Sequence, residues 1–266
     1  MDNATLFQAK WQWRAFLISH LVALLLIILW LIPSVRTTLL DLDAHLFRAL
    51  SAPLESNTVW LHVWAVASLR PFDIVVGIIL LTLTIRGNWV FKPEQVRSAF
   101  FGLLTVLLAL LLIRNLFTKA IEAAGLQHAS PSDMLTYAIH MSDYFQSWEK
   151  AWELKDRSGA SFPGDHASVL LLWGLFLTAF TRNPLQLVVT WLLVMLFMMP
   201  RLVAGAHWAS DDYMGGIAVA LLAMAWGLYT PLANAGSHMF LRLTAPLFRV
   251  AAHIPVIRQM SLVKHY

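Results

Sequence analysis

The chain has 266 residues, of which 59% are hydrophobic and 13% are charged, and its mean hydropathy is +0.65. This composition is too apolar for an ordinary soluble domain and indicates a protein of the lipid bilayer. The net charge of +4 comes from basic residues that form no contiguous stripe, so a nucleic-acid partner is not expected. The absence of cysteine excludes disulfides, thiolate metal sites and a cysteine nucleophile.

Six apolar stretches predict an all-α bundle of six transmembrane helices within one domain, residues 1–266. These stretches are 15–33, 69–85, 99–117, 166–180, 185–200 and 213–232. The first lacks a small-residue cleavage pattern and is expected to remain as an anchor. Between and after these spans, residues 41–68 and the tail 233–266 mix charged and apolar residues at helical spacing. This pattern predicts helices in the membrane interface, with the tail on the cytoplasmic side.

A hairpin is predicted where the fourth and fifth stretches are separated only by Thr181, Arg182, Asn183 and Pro184. Its outer ends emerge on the same face of the membrane, and each carries a histidine, His166 at one end and His207 at the other. Several basic residues lie in the loops on this side, which favours an anion site. These residues are Arg114, Lys119, Lys150, Lys155, Arg157 and Arg201.

His207 and Asp211 are four residues apart, so on a helix the carboxylate accepts a hydrogen bond from one ring nitrogen. The other nitrogen is then a nucleophile for phosphorus. Arg201 is expected in a loop, where its guanidinium clamps phosphate oxygens. His166 is the expected proton donor to the leaving oxygen. The backbone N–H group of Gly164, like that of Gly205, is expected to approach the phosphate.

Two other interpretations compete with this one. A metal site built from His166, His207, Asp165 and Asp212 is disfavoured, because Arg201 and Lys119 suit an anion better than a cation. A non-catalytic lipid transporter or scaffold is disfavoured because the polar groups lie at helix ends rather than at mid-membrane. We therefore predict an enzyme without a metal or other cofactor.

The motifs resemble those of the type-2 phosphatidic acid phosphatase superfamily, which is related to the haloperoxidases. Its third motif has an arginine, then a histidine six residues later and an aspartate four residues after that, as in Arg201, His207 and Asp211. Its second motif corresponds to Pro163-Gly164-Asp165-His166. The resemblance implies a six-helix membrane fold, with His207 as nucleophile and His166 as general acid.

Departures from the family pattern narrow the range of expected substrates. The resemblance places Asp165 at the phosphate, as in bacterial members that act on undecaprenyl diphosphate. The segments 161–166 and 205–208 resemble inner-membrane members that pass this phosphate to lipid A. After Lys119 the first motif has His128 where an arginine is usual, and Lys155 or Arg157 is a candidate to supply the missing charge.

The expected activity is phosphoryl transfer from undecaprenyl diphosphate to lipid A 1-phosphate through a phosphohistidine on His207. The site is expected to face the periplasm from the bacterial inner membrane. With water as the acceptor, the same chemistry makes the chain an undecaprenyl diphosphate or other lipid phosphate phosphatase. The sequence leaves the acceptor and the oligomeric state open. The expected phosphate-binding residues are Arg201, Lys119, Gly164, Asp165, His128, Lys155 and Arg157.

Overall fold

The computed structural model describes residues 6–263, except for the side chains of residues 256 and 257. Over this range the regular secondary structure is entirely helical, and an isolated β-bridge joins Leu69 to Leu154. The all-α prediction is confirmed. Lys264, in the predicted cytoplasmic tail, lies outside the described residues.

The helices follow one another along the chain with short connections. In order they are α1 Trp13–Leu31, α2 Pro33–Ser51, α3 Pro53–Ser56, α4 Thr58–Ala67, α5 Arg70–Ile85, α6 Val96–Ala123, α7 Pro131–Met134, α8 Met141–Tyr144, α9 Gln146–Trp152, α10 Asp165–Phe180, α11 Pro184–Val203, a π-helical turn Asp211–Gly216 that continues as α12 Ile217–Leu228, α13 Leu232–Ala251 and α14 Pro255–Arg258.

Within residues 6–263, three helices, α1, α6 and α11, are long and apolar enough to cross a membrane. A fourth span results if the π-helical turn, α12 and α13 form one segment bent by 69°. The predicted fourth stretch is a shorter helix, α10, and the predicted second stretch is α5, with 16 residues. The structure thus supports a membrane protein with three or four candidate spans, and the count of six stays a prediction.

The predicted interfacial helix over residues 41–68 is wrong as a single element, because the chain breaks twice there. Helix α3 begins with Pro53 in its first turn, a position where the missing N–H costs nothing. Helix α4 begins after Asn57, whose side chain accepts a hydrogen bond from the backbone N–H of Trp60 at 3.0 Å. The same devices begin α11, where Asn183 caps the helix and Pro184 is its first residue. The predicted hairpin of α10 and α11 is confirmed.

The main core lies where α6, α10 and α12 pack together. Val106 of α6 and Leu172 of α10 are fully buried there. Helices α1 and α13 cover the outer sides of this layer by packing on α12 and α6. Because α10 is fixed in the core along most of its length, the position of its first residues, Asp165 and His166, is fixed as well.

Gly227 allows the close approach of α12 to α6. A Cβ atom added at Gly227 would lie 2.8 Å from Cγ1 and 2.9 Å from Cγ2 of Val106. We expect Gly227→Ala to lower the free energy of unfolding by about 1–3 kcal/mol through overpacking. In the matched control Gly77→Ala, on α5, the new methyl group meets nothing within 4 Å. Thermal unfolding of both variants in one detergent tests this, and equal melting temperatures would contradict the packing argument.

Candidate active site

His207 lies in a tight loop between α11 and the π-helical turn. Gly205 in this loop has a φ of +75°, a left-handed conformation that favours glycine. A Cβ atom there would also lie 2.7 Å from Cε2 of Phe47. The Ala206 N–H donates to the carbonyl oxygen of Arg201 at 2.9 Å and so closes the end of α11. This turn buries the His207 ring, which is 4% exposed.

The hydrogen bonds of His207 define its tautomer. Its Nδ1 lies 2.9 Å from the carbonyl oxygen of Ser161, which only accepts, so Nδ1 carries a proton. Its Nε2 lies 3.1 Å from Oδ1 of Asp165. In the neutral ring the lone pair is therefore on Nε2, which is the arrangement that a nucleophile needs.

Asp211 is fully buried beside His207, as the spacing predicts, but it does not take the hydrogen bond of the ring. Its Oδ2 lies 3.9 Å from Nδ1, which is beyond hydrogen-bond length. That oxygen accepts the hydroxyl of Ser161 and the backbone N–H of Trp208, the latter at 2.9 Å. The reason is local: the helical region begins only after His207, so the geometry of two residues one turn apart on a helix does not apply.

Carboxylates surround the ring of His207 and change its titration. Burial alone would lower the pKa of His207, but the hydrogen bond to Asp165 and the charges of Asp211 and Asp212 raise this pKa to about 10. At neutral pH the ring is therefore protonated, with Nε2–H donating to Asp165. It must lose this proton before it can attack phosphorus.

The second motif forms the turn into α10. The N–H of Gly164 donates to the carbonyl oxygen of Asp211 at 3.0 Å, and its approach to a phosphate stays a prediction. Glycine is needed because a Cβ atom there would collide with the carboxylate of Asp212. The side chain of Asp165 is 53% exposed and faces Nε2 of His207.

His166 lies next to a different set of partners. Its Nε2–H donates to the carbonyl oxygen of Phe197 on α11 at 3.1 Å, and its Nδ1 lies 3.7 Å from Oδ1 of Asp73 on α5. The hairpin thus brings His166 against α11, and Asp165 rather than His166 contacts the His207 ring.

Arg201 lies in the last turn of α11, so the prediction that it belongs to a loop is wrong. The helix continues to Val203, and the guanidinium is turned inward with 3% of the residue exposed. One amino group donates to the carbonyl oxygen of Ser68 at 3.2 Å. The other donates to both carboxylate oxygens of Asp73, at 2.9 and 2.7 Å.

The remaining candidates for phosphate binding are dispersed. His128 donates from Nε2 to Oδ1 of Asp211 at 3.0 Å, so its contact is with a carboxylate. Arg157 donates to Ser142 and, with Lys155, lines an open polar depression of about 520 Å³. Lys119 is exposed near the end of α6. None of these contacts is with His207.

Ser161 and Asp73 were missed by sequence reasoning, while Arg114 was expected only among the basic loop residues and Asp212 only in the alternative metal site. Ser161 bridges His207 and Asp211, and Asp73 pairs with Arg201. Arg114 donates to the backbone carbonyl oxygen of Asp165 at 3.4 Å, at the turn that carries the second motif. Asp212 is 2% exposed, and neither of its oxygens has a donor among the described residues. The rarity of ionisable residues in so apolar a chain was the available signal for Asp73, Arg114 and Asp212.

The alternative metal site is not assembled in the part of the chain that the structure describes. Over residues 6–263, no three side chains of histidine, cysteine, aspartate or glutamate are grouped so that they hold a metal ion. The arrangement around His207 is instead a buried imidazole opposed by a half-exposed carboxylate. Such an arrangement can present Nε2 of His207 as a nucleophile once that nitrogen is deprotonated.

Comparison with known proteins agrees with this class. Residues 99–234 match the PAP2 superfamily, and the chain belongs to it. The chain is 28% identical over 219 residues to lipid A 1-diphosphate synthase of Escherichia coli strain K12, covering 81% of this chain and 87% of that protein. No solved structure matches. The protein is a membrane enzyme of the PAP2 phosphatase type that acts on lipid phosphate, and it is related to the lipid A enzyme.

The carboxylate of Asp165 controls the fraction of neutral His207. Asp165→Asn removes the charge that holds the proton on Nε2, so the acidic limb of the pH–rate profile should move to lower pH by about one unit. The measurement is the initial rate of phosphoryl transfer from about pH 6 to 10. The control Asp133→Asn, at an exposed residue on α7, should leave the limb in place. An unmoved limb in Asp165→Asn would contradict this role.

Proposed function

We propose that the protein is a phosphotransferase that moves a phosphoryl group from undecaprenyl diphosphate to lipid A 1-phosphate through a phosphohistidine on His207. One observation carries the proposal. Nδ1 of His207 is tied to the carbonyl oxygen of Ser161, while Nε2 is opposed only by the half-exposed carboxylate of Asp165. Such a ring attacks from Nε2 as soon as that nitrogen loses its proton. The similarity to lipid A 1-diphosphate synthase of Escherichia coli supports lipid A as acceptor.

The reaction has two displacements. Nε2 of His207 first loses its proton to solvent on the exposed side that Asp165 faces. Its lone pair then attacks the terminal phosphorus, and the bond from phosphorus to the bridging oxygen breaks with its electron pair on that oxygen. The lipid monophosphate leaves after its oxygen takes a proton from Nε2 of His166. In the second step an oxygen of lipid A 1-phosphate attacks the same phosphorus, the bond to Nε2 breaks, and His166 takes up the proton of the acceptor.

The group behind His207 stabilises the charge that phosphorylation leaves on the ring. Asp211 is buried and holds its position through Ser161, His128 and the backbone of Trp208. A fixed negative charge 3.9 Å from Nδ1 favours the cationic phosphohistidine. Asp211 thus acts through charge and through Ser161 rather than by a direct hydrogen bond.

Cations on two sides of the site are assigned to phosphate groups. The phosphate groups of the donor are assigned to Arg201, Lys119 and Arg114. Arg114 lies at the turn before α10 and takes the part of the missing first-motif arginine. Lys155 and Arg157 are assigned to the anionic headgroup of the acceptor, in the depression that they line. When the side chain of Asp165 moves away from His207, the phosphate can enter the space between these cations and Nε2.

The proposal includes the setting of the enzyme. Residues 1–266 form one domain with six spans in the bacterial inner membrane, and the loops around His207 face the periplasm. The candidate spans and the Escherichia coli relative support the membrane location. A phosphatase that uses water as acceptor is the second candidate, and the exposure of Asp165 favours it, because water reaches the same side of Nε2.

Labelled donor separates the two activities. With ³²P in the terminal phosphate of undecaprenyl diphosphate, thin-layer chromatography should show labelled lipid A diphosphate only when lipid A is present. Free phosphate as the sole labelled product under both conditions would favour the phosphatase. His207→Ala should lower turnover at least about a thousandfold, whereas the exposed His238→Ala should retain it. Retained turnover in His207→Ala would refute the phosphohistidine.

Metal removal gives a separate test. Vanadate should inhibit, because it adopts the trigonal geometry of the transferred phosphoryl group at Nε2 of His207. Treatment with EDTA should leave turnover unchanged, since cationic side chains neutralise the phosphate oxygens. Strict dependence on magnesium would count against this mechanism.

A further inference from the structure

Asp73 is ion-paired with the guanidinium of Arg201, which the proposed reaction assigns to phosphate binding. It lies in the first turn of α5, and both of its carboxylate oxygens accept from the same amino group of Arg201, at 2.9 and 2.7 Å. Its Oδ1 is also 3.7 Å from Nδ1 of His166. One carboxylate thus stands between the expected phosphate ligand and the expected proton donor.

Two partners accept hydrogen bonds from the amino groups of Arg201, and they differ in how easily a phosphate can take their place. The carbonyl oxygen of Ser68 is held in place, because it also accepts the N–H of Lys155 at 2.9 Å and Ser68 is fully buried. The side chain of Asp73 is 27% exposed. A partly exposed side chain moves at lower cost than a buried backbone segment, so Asp73 is the partner that yields.

His166 is the nearest described partner for the displaced carboxylate. The distance of 3.7 Å from Oδ1 to Nδ1 is just beyond hydrogen-bond length, so a small rotation of Asp73 closes it. As the carboxylate closes, Nδ1 takes up a proton from solvent and donates it in a hydrogen bond to Asp73. This bond orients the ring, as in other catalytic histidines, and leaves Nε2–H for the reaction. At rest Nε2–H donates to the carbonyl oxygen of Phe197, and in the complex it turns to the leaving oxygen.

We propose that Asp73 is an exchangeable positioning residue: the donor phosphate replaces it on Arg201, and the released carboxylate closes on Nδ1 of His166. This inference rests on the proposed function. Binding of the phosphate to Arg201 then also orients His166 for proton donation. In the transfer step the Nε2–H bond of His166 breaks and an O–H bond forms on the leaving phosphate, while Asp73 remains ionised.

The rival role is a fixed brace that holds α5 against α11. The two roles predict opposite signs for anion binding. A brace keeps Arg201 in place, so its loss weakens both the binding of an anion and turnover. An exchanging carboxylate competes with the anion, so its loss strengthens anion binding while turnover falls.

The test is Asp73→Asn in the full chain in detergent, with the inhibition constants of vanadate and inorganic phosphate and the kcat for lipid diphosphate as readouts. We expect both anions to bind about tenfold more tightly, because a neutral amide competes poorly for a guanidinium. We expect kcat to fall about a hundredfold, because His166 loses its orienting group. Weaker anion binding together with lower kcat, or an unchanged kcat, would overturn the proposal.

Matched variants separate exchange from a general loss of negative charge. Glu153 pairs with Arg70, at 2.9 Å, and not with Arg201. Glu153→Gln should therefore tighten anion binding only slightly and leave kcat unchanged. In an Arg201→Ala background, Asp73→Asn should no longer tighten anion binding, and tightening there would contradict the exchange. If Asp73→Asn does not fold, Asp73→Ser is expected to change both readouts in the same directions.

Failure of the exchange and failure of the proposed function give different results. Labelled phosphate on His207, with weaker vanadate binding in Asp73→Asn, would overturn the exchange and leave the proposed function intact. Turnover that persists in His207→Ala would refute the proposed function, whatever Asp73 does.

Discussion

The site depends on one cationic ring placed among carboxylates in the apolar interior of the molecule. His207 is almost fully buried, and burial of a charge costs several kcal/mol unless opposite charges and hydrogen bonds compensate for it. Asp165 supplies the contact on Nε2 at 3.1 Å, and Asp211 supplies a fixed charge behind Nδ1. The tautomer, the protonation state and the direction of attack all follow from this arrangement. The rest of the structure holds the loops that carry His128, Ser161 and His207 around the ring.

Hydrogen bonds to backbone carbonyl oxygens hold those loops. The indole N–H of Trp208 donates to the carbonyl oxygen of Ala129 at 2.8 Å, and the N–H of Ser130 donates to the carbonyl oxygen of Ser158, also at 2.8 Å. A further bond joins the N–H of Ser132 to the carbonyl oxygen of Gly205 at 3.1 Å. The segment with His128 is therefore a structural partner of the His207 loop. This segment also holds Nε2 of His128 at 3.0 Å from Oδ1 of Asp211.

Two ion pairs connect this scaffold with the proposed chemistry. Asp165 covers the nucleophile, and Asp73 covers the arginine of the third motif. Both carboxylates are partly exposed, whereas Asp211 and Asp212 are buried. Under the proposed mechanism the phosphate displaces the partly exposed carboxylates of Asp165 and Asp73, and the two buried carboxylates keep their positions throughout. The separation between exchangeable and fixed charge is thus a matter of exposure rather than of residue type.

The sequence by itself determined the membrane class, the all-α fold, the α10–α11 hairpin and the family, because composition, apolar runs and motif spacing are local properties. It also placed His207 and Asp211 near each other. It did not determine that the Nδ1–H of His207 donates to the carbonyl oxygen of Ser161. Nor did it determine that Arg201 turns inward and pairs with Asp73, which lies 128 residues away along the chain. Those contacts join segments that are distant in sequence, and only the packing of the helices that hold these segments decides which groups meet.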